Sequence, residues 1–253
     1  MVPLVVALSL LLVGCAAAPT ATDRRLEESV SIYTQLGVGY MQEGNYALAL
    51  DKLNRALKLD SDNADANSAI AVLYERLGEN ERAEKHYRIS VNQKGQISGA
   101  LNNYGGFLCR QGRVDEAEER FIAAASDPLY PSPWIAYTNA GNCALGENDT
   151  AKAERYFRRA LQAGSRFAPA LYPMAKLMFD AGDFLRARAY LQRYQEVASH
   201  TAQSLWLGVQ IERRLGDRNA AGSYAQLLKN TFTDSEETGM LLELERNESD
   251  RQP

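Results

Sequence analysis

Two histidines, His86 and His200, and three cysteines, Cys15, Cys109 and Cys143, are all that this 253-residue chain offers for soft-metal or cysteine–histidine chemistry. A zinc site or a nucleophile–base pair would have to be assembled from almost nothing, so most metalloenzyme and nucleophilic-enzyme classes are disfavoured before any motif is considered. Basic charge is also short. Lysine and arginine number 28 against 32 aspartates and glutamates, a formal charge of −4, which leaves no excess to neutralise a phosphate backbone. Valine and isoleucine together occur 18 times and alanine 36 times. Alanine is the best helix former and β-branched side chains prefer strands, so the balance points to an all-α protein. No Gly-rich phosphate loop following a strand is present. The aspartates and glutamates read as solvated charge on helix faces. Cofactors, metals, nucleic acid and small-molecule substrates are not expected, and neither is catalysis.

The one long apolar run, Leu4 to Val13, is about ten residues, half of the roughly 20 needed to span a bilayer. Its length fits the hydrophobic region of a secretory signal. It ends Leu12-Val13-Gly14-Cys15, which resembles the lipobox of bacterial lipoproteins. That resemblance implies cleavage before Cys15, residues 1–14 being a signal peptide, and lipidation of Cys15. Its departure from the usual pattern is the absence of lysine or arginine ahead of the run. Ala16, standing where an aspartate favours inner-membrane retention, points to the outer membrane and its periplasmic face. Residues 15–29 are expected to be the lipidated cysteine and a tether, with Ala16 to Thr22 flexible.

The remainder is one pattern written six times. Ala49, Ala83, Ala117, Ala153, Ala187 and Ala220 follow one another at 34, 34, 36, 34 and 33 residues. Twelve residues before them stand Gly37, Ala71, Gly105, Gly141, Ala175 and Gly208, and four residues after them Leu53, Tyr87, Phe121, Phe157, Leu191 and Tyr224. These columns resemble the tetratricopeptide (TPR) repeat, with its small residue at position 8, alanine at 20 and large residue at 24. The resemblance implies six helix-turn-helix units over 30–234, starting near 30, 64, 98, 134, 168 and 201, stacked as a right-handed solenoid. Small residues let paired helices approach, and the large residue fills the gap to the neighbouring unit. Turns are expected at Gly44, Gly78, Gly112, Gly146, Gly182 and Gly216, where glycine ends a helix. The 36-residue spacing marks an insertion at the proline-rich stretch 127–133, readable either as a longer surface loop or as a bend dividing the array. Asp234-Ser235-Glu236-Glu237 reads as a capping box opening a terminal helix to Arg246, a cap for the last apolar face within 235–253, with 247–253 a disordered tail.

Cys109 and Cys143 fall near the ends of neighbouring first helices and are either bridged or buried free thiols. Carboxylate-clamp TPR domains carry lysine, arginine and asparagine on the inner face. The matching positions here are Thr34, Val38, Ala69, Gly99 and Asn103, so the basic residues of such a clamp are missing. Val38, Met41 and Val72, with Asn102 and Asn103 beside them, form instead a candidate partner-binding groove, or else serve only the core.

Leu101-Asn102-Asn103-Tyr104-Gly105-Gly106-Phe107-Leu108, with Ala124 to Pro131 some twenty residues on, resembles more narrowly the PilF/PilW lipoproteins of type IV pilus biogenesis. The lipobox, the repeat count and the proline break come in the same order. The resemblance implies a pilotin: an outer-membrane lipoprotein that binds the secretin subunit and promotes its localisation and multimerisation, through the groove of the early repeats. A general periplasmic TPR adaptor in outer-membrane protein or cell-wall assembly is the alternative that lipobox and repeats alone would equally allow.

Overall fold

The computed structural model describes residues 20–93 and 97–249. The lipobox and Cys15 lie outside the described residues. Among the described residues thirteen helices and no strands occur: α1 (Ala21–Gln42), α2 (Tyr46–Leu59), α3 (Ala64–Arg76), α4 (Asn80–Val91), α5 (Ser98–Arg110), α6 (Val114–Ser126), α7 (Pro133–Gly146), α8 (Thr150–Ala163), α9 (Ala168–Asp180), α10 (Phe184–Gln195), α11 (Ala202–Leu215), α12 (Arg218–Thr231) and α13 (Glu236–Ser249). None is long and apolar enough to cross a membrane.

The first twelve pair as six antiparallel units, odd-numbered helices first and even-numbered second. The small-residue column explains the pairing. A Cβ added at Gly105 would stand 2.9 Å from the Phe121 ring, and one at Gly141 2.7 Å from the Phe157 ring. Only glycine lets these helices lie this close to the large side chain of their partners. Those side chains in turn are the centre of the core: Leu53, Tyr87, Phe121, Phe157 and Leu191 are at most 2% exposed.

Each first helix also packs on the second helix of the preceding unit, and first helices touch along the runs α1–α3–α5–α7 and α9–α11, whereas second helices are spread further apart and meet only through long side chains, as Glu118 of α6 with Lys152 and Tyr156 of α8, and Gln195 of α10 with Tyr224 of α12. The first helices therefore form the inner, concave layer and the second helices the outer one. Contacts reach only the neighbouring unit, so stability is a sum of units and interfaces. Ion pairs reinforce these interfaces: Glu75 with Arg110, Glu84 with Arg113, Glu118 with Lys152, and Arg188 with Glu212.

Four expectations need correction. First, α1 begins at Ala21, so residues 21–29 are helix and not tether. The cause is a capping box: the Thr20 hydroxyl accepts from Asp23 N (3.2 Å) while the Asp23 carboxylate accepts from Thr20 N (2.9 Å). Second, the fourth turn is not at Gly146, which is the last residue of α7. The left-handed position there belongs to Asn148, with φ 60°, and asparagine is the non-glycine residue that tolerates it best. Third, the alanine column of the sixth unit is shifted by one. In every unit the column alanine stands four residues after the cap of the second helix, and Asp217 caps α12, so Ala221 takes the place given to Ala220. Ala221 is buried and Ala220 only half-buried, which restores a 34-residue spacing from Ala187. Gly208 still faces Tyr224, at 2.9 Å from an added Cβ. Fourth, the terminal helix runs on to Ser249, through part of the expected tail.

That helix, α13, is capped by Ser235, whose hydroxyl accepts from Thr238 N (3.2 Å), with Thr238 at the third helical position. Leu241 is 1% exposed against Leu205, Val209 and Leu228, so α13 closes the last apolar face. Leu244 is half-buried, whereas Met240 points outward. At the insertion, Tyr130 packs on Ala124, Ala125 and Ala136, and α5 still touches α7 across it. The proline-rich stretch is thus a surface loop, and the core passes beneath it undivided.

Candidate partner-binding site

The five residues expected to line a groove on the early repeats do not share one surface. Val38 is half-buried and lines a cleft of about 440 Å³ along α1, with Thr34, Gln35, Gln42, Asn63 and Asp65. Met41 is 5% exposed and belongs to the core with Leu53, Ile70 and Leu73, so it is not available to a partner. Its register on α1 turns it toward α2. Val72 is half-buried and packs into the clusters on both sides of the second unit. Asn102 is 8% exposed, and its Oδ1 accepts from Asn139 Nδ2 at 2.9 Å. Asn103 is exposed and donates from Nδ2 to Ser68 Oγ at 3.1 Å. The groove thus has two parts, an α1 cleft marked by Val38 and a polar seam along α3, α5 and α7.

That seam brings in Ser68, Thr138, Asn139 and Asn142, none of which was singled out from the sequence. Their signal was available: Thr34, Ser68, Asn102 and Thr138 occupy the same position of successive units. The floor beside them is an interlocked pair, Arg110 donating to Glu75 from Nη2 (2.9 Å), while Glu75 also accepts from the buried Tyr87 hydroxyl at 3.1 Å. Burial and the Glu75 charge push the Tyr87 phenol well above its usual range, so it stays a neutral donor.

Beneath the seam, Cys109 of α5 and Cys143 of α7 are joined as a disulfide, their Cα atoms 5.9 Å apart. Both alternatives were open in the sequence, and the geometry selects the bridge, because neighbouring first helices place residues 34 apart side by side. The bridge pins the third unit to the fourth under the asparagine seam.

The histidines stand elsewhere. His86 lies on the outer layer and is not without a partner: Nδ1 is 2.8 Å from Asn67 Oδ1 and the ring stacks on Tyr74 at 5.6 Å. Asn67 Nδ2 donates to the carbonyls of Ser61 and Asn63, which leaves its Oδ1 as acceptor and assigns the proton to His86 Nδ1. Burial first, then Lys85 and Arg82, hold its pKa below the usual imidazole value. It borders an open cleft of about 840 Å³ with Lys58 and Lys85. His200 is exposed between α10 and α11. Among the described residues no cluster of three or more histidine, cysteine, aspartate or glutamate side chains is placed to hold a metal ion.

Family models described as TPR repeat and tetratricopeptide repeat match residues 37–78, 108–167 and 144–205. The chain is 34% identical to the type IV pilus assembly protein PilF of Pseudomonas aeruginosa, over 92% of this chain and 94% of that one. It superposes on the solved structure of Pseudomonas aeruginosa PilF with a TM-score of 0.76 at 32% identity, covering 88% of this chain and 99% of the other. The crystal structure of PilW, described as a widely conserved type IV pilus biogenesis factor, gives a TM-score of 0.72 at 35% identity, over 84% and 98%.

Proposed function

The chain belongs to the PilF/PilW family of tetratricopeptide proteins of type IV pilus biogenesis, and from that premise we propose that it is a pilotin. In this reading it is anchored by lipid at Cys15 to the periplasmic face of the outer membrane. There it binds the secretin subunit and promotes its localisation and multimerisation. The observation that carries the reading is the likeness over nearly the whole of both chains, joined to the Leu12-Val13-Gly14-Cys15 sequence ahead of the fold.

The work done is mass action, not bond chemistry. A folded array of first helices offers a long inner surface, and a bound secretin segment is withdrawn from aggregation. Each acyl chain contributes about 0.8 kcal/mol per buried CH₂, and several chains hold the adaptor and its cargo at one membrane. Confinement to a surface raises the local concentration of subunits and favours the ring over the monomer.

Fractionating membranes of a deletion strain and blotting for secretin tests this. Loss of heat- and detergent-resistant multimers from the outer membrane is expected, with Cys15→Ala mislocalising the protein and impairing the same step. Multimers unchanged in amount and place would overturn the reading in favour of a general assembly adaptor with another client.

A further inference from the structure

The two ends of the array are unlike. α13 closes the last unit, and Leu241 is buried there. Ahead of α1 the described residues hold no helix. Units two to four show which positions of a first helix meet the unit before it. Ala66 packs on Ala56 of α2, Ile70 clusters with Leu53 of α2, and Tyr104 stacks on Tyr87 of α4. With Ala100, Ala136 and Ala140, these residues are at most 5% exposed. The first unit carries Ile32 where those units have alanine 66, 100 and 136, and Leu36 where they have Ile70, Tyr104 and Ala140. Here the two side chains are 49% and 42% exposed. On α2, Lys52 holds the place of His86, which in the second unit faces the outer cleft beside α2. Lys52 and, one turn before it, the exposed Leu48 therefore turn to the same open end. So does the exposed Arg25, two turns before Ile32 on α1. An apolar inter-unit surface is thus presented with no unit of the array upon it.

What lies against it follows from where the chain leads. In the pilotin reading Cys15 carries the lipid and sits at the membrane surface. Because α1 starts at Ala21, only five residues lead from Cys15 to the cap, Thr20, at most about 18 Å of extended chain. Ile32 is twelve residues beyond Thr20, about 18 Å along the helix. So short a tether holds the first unit against the bilayer. The composition of the open end fits that setting: branched apolar side chains, the half-buried Tyr40 one turn beyond Leu36, and Arg25 and Lys52 at the margin, where long stems lie along apolar surface with their charges in water.

We propose that the open end of the first unit, Ile32 and Leu36 of α1 with Leu48 of α2, rests in the interface of the phospholipid membrane that holds the lipid. α1 then lies along the surface, and units two to six stand away from it. This rests on the pilotin reading for the anchor at Cys15. The lipid fixes position, and the helix face adds orientation.

The test uses the full lipidated chain in phosphatidylethanolamine–phosphatidylglycerol vesicles, with lipids brominated near the top of the acyl chains as quencher. Leu36→Trp places an indole on the open end without touching the core, and Ile32→Trp repeats the measurement on the same face. Leu185→Trp, at a leucine 68% exposed in the fifth unit, is the control, and the native Trp134 and Trp206 of the fourth and sixth units are the background. Emission of the indole at 36 should be quenched about twofold by brominated lipid, since an interfacial apolar face reaches roughly 5–10 Å into the headgroup and acyl boundary. The indole at 185 and the native pair should be unaffected, and aqueous iodide should quench 185 and spare 36. Indoles at 32 and 36 open to iodide and untouched by bromine overturn the proposal, because the face is then in water. Indoles shielded from both overturn it too, because a second copy or another protein then covers the face. Either result leaves the lipid anchor and the pilotin reading standing. A mature chain whose Cys15 carries no lipid by mass spectrometry overturns the anchor and this proposal together.

Discussion

Reducing the Cys109–Cys143 bridge should weaken the middle of the array without touching its ends. The two cysteines are 34 residues apart, and the chain-entropy relation for a loop of that length gives about 4 kcal/mol of stabilisation at 25 °C. If the whole array unfolded as one, that would lower the melting temperature by roughly 8–16 °C, at 2–4 °C per kcal/mol for a protein of this size. Units touch only their neighbours, however, so the loss falls on the interface between the third and fourth units. The reduced protein should therefore unfold in two steps, or in one broadened step with a lower urea slope. Urea melts with and without a phosphine reductant, followed by circular dichroism, measure this, and Cys109→Ala/Cys143→Ala should reproduce the reduced curve. Alkylation of the untreated protein must find both thiols blocked. Coincident curves for the oxidised, reduced and double-alanine proteins would refute the reasoning, because the bridge would then constrain nothing that unfolding releases.

Phe157→Ala should cost about 3–5 kcal/mol, read as a shift in urea midpoint, since the ring is fully buried against Gly141 and the fourth-unit core. Arg188→Ala should cost about 3–5 kcal/mol because it strands Glu212, whose side chain is only 5% exposed. Arg213→Ala, whose partner Glu248 is 50% exposed, should cost under about 1 kcal/mol by the same melt. His86 has a folded pKa below 6.5, so the unfolded chain binds its proton first. The stability it contributes is complete above about pH 6.5 and falls as pH drops toward the folded value, and His86→Gln should flatten the difference between urea midpoints at pH 7.5 and 5.5. The carboxylates of Glu84, lowered chiefly by Arg113, and of Asp127, lowered chiefly by Ser98, act in the same direction at lower pH, their contribution falling from the ordinary carboxylate range downward.

The periodic part of this fold was legible because packing enforces it. A small residue that must lie against a large side chain across a helix pair leaves a mark about every 34 residues, and the pairs and their number follow from it. What escaped was set by single hydrogen bonds. Whether Thr20 starts a helix depends on Asp23 answering it, and the one-residue shift at Ala221 depends on which residue caps α12. Asn148 taking the turn from Gly146 is the same kind of local choice. The site was less legible than the fold. Met41 and Val38 are both apolar residues of α1, yet one is core and the other lines a cleft, and only the placement of α2 separates them. Asn102 and Asn103 stood out through a resemblance, while their partners Asn139 and Ser68 lie in other units and become visible when the first helices are set side by side.

The confinement of contacts to adjacent units also bears on how the chain reaches its fold. Side-chain bonds between units join residues about one repeat apart, as from Glu118 to Tyr156, 38 positions in a chain of 253. No distant ends must meet before burial is rewarded, which places the protein on the fast side of the relation between topology and folding rate. A chain delivered N-terminus first can add one finished unit at a time onto the last. The most vulnerable moment then comes before α13 is made, when the apolar face around Leu205 and Leu228 is the growing end of an otherwise complete array.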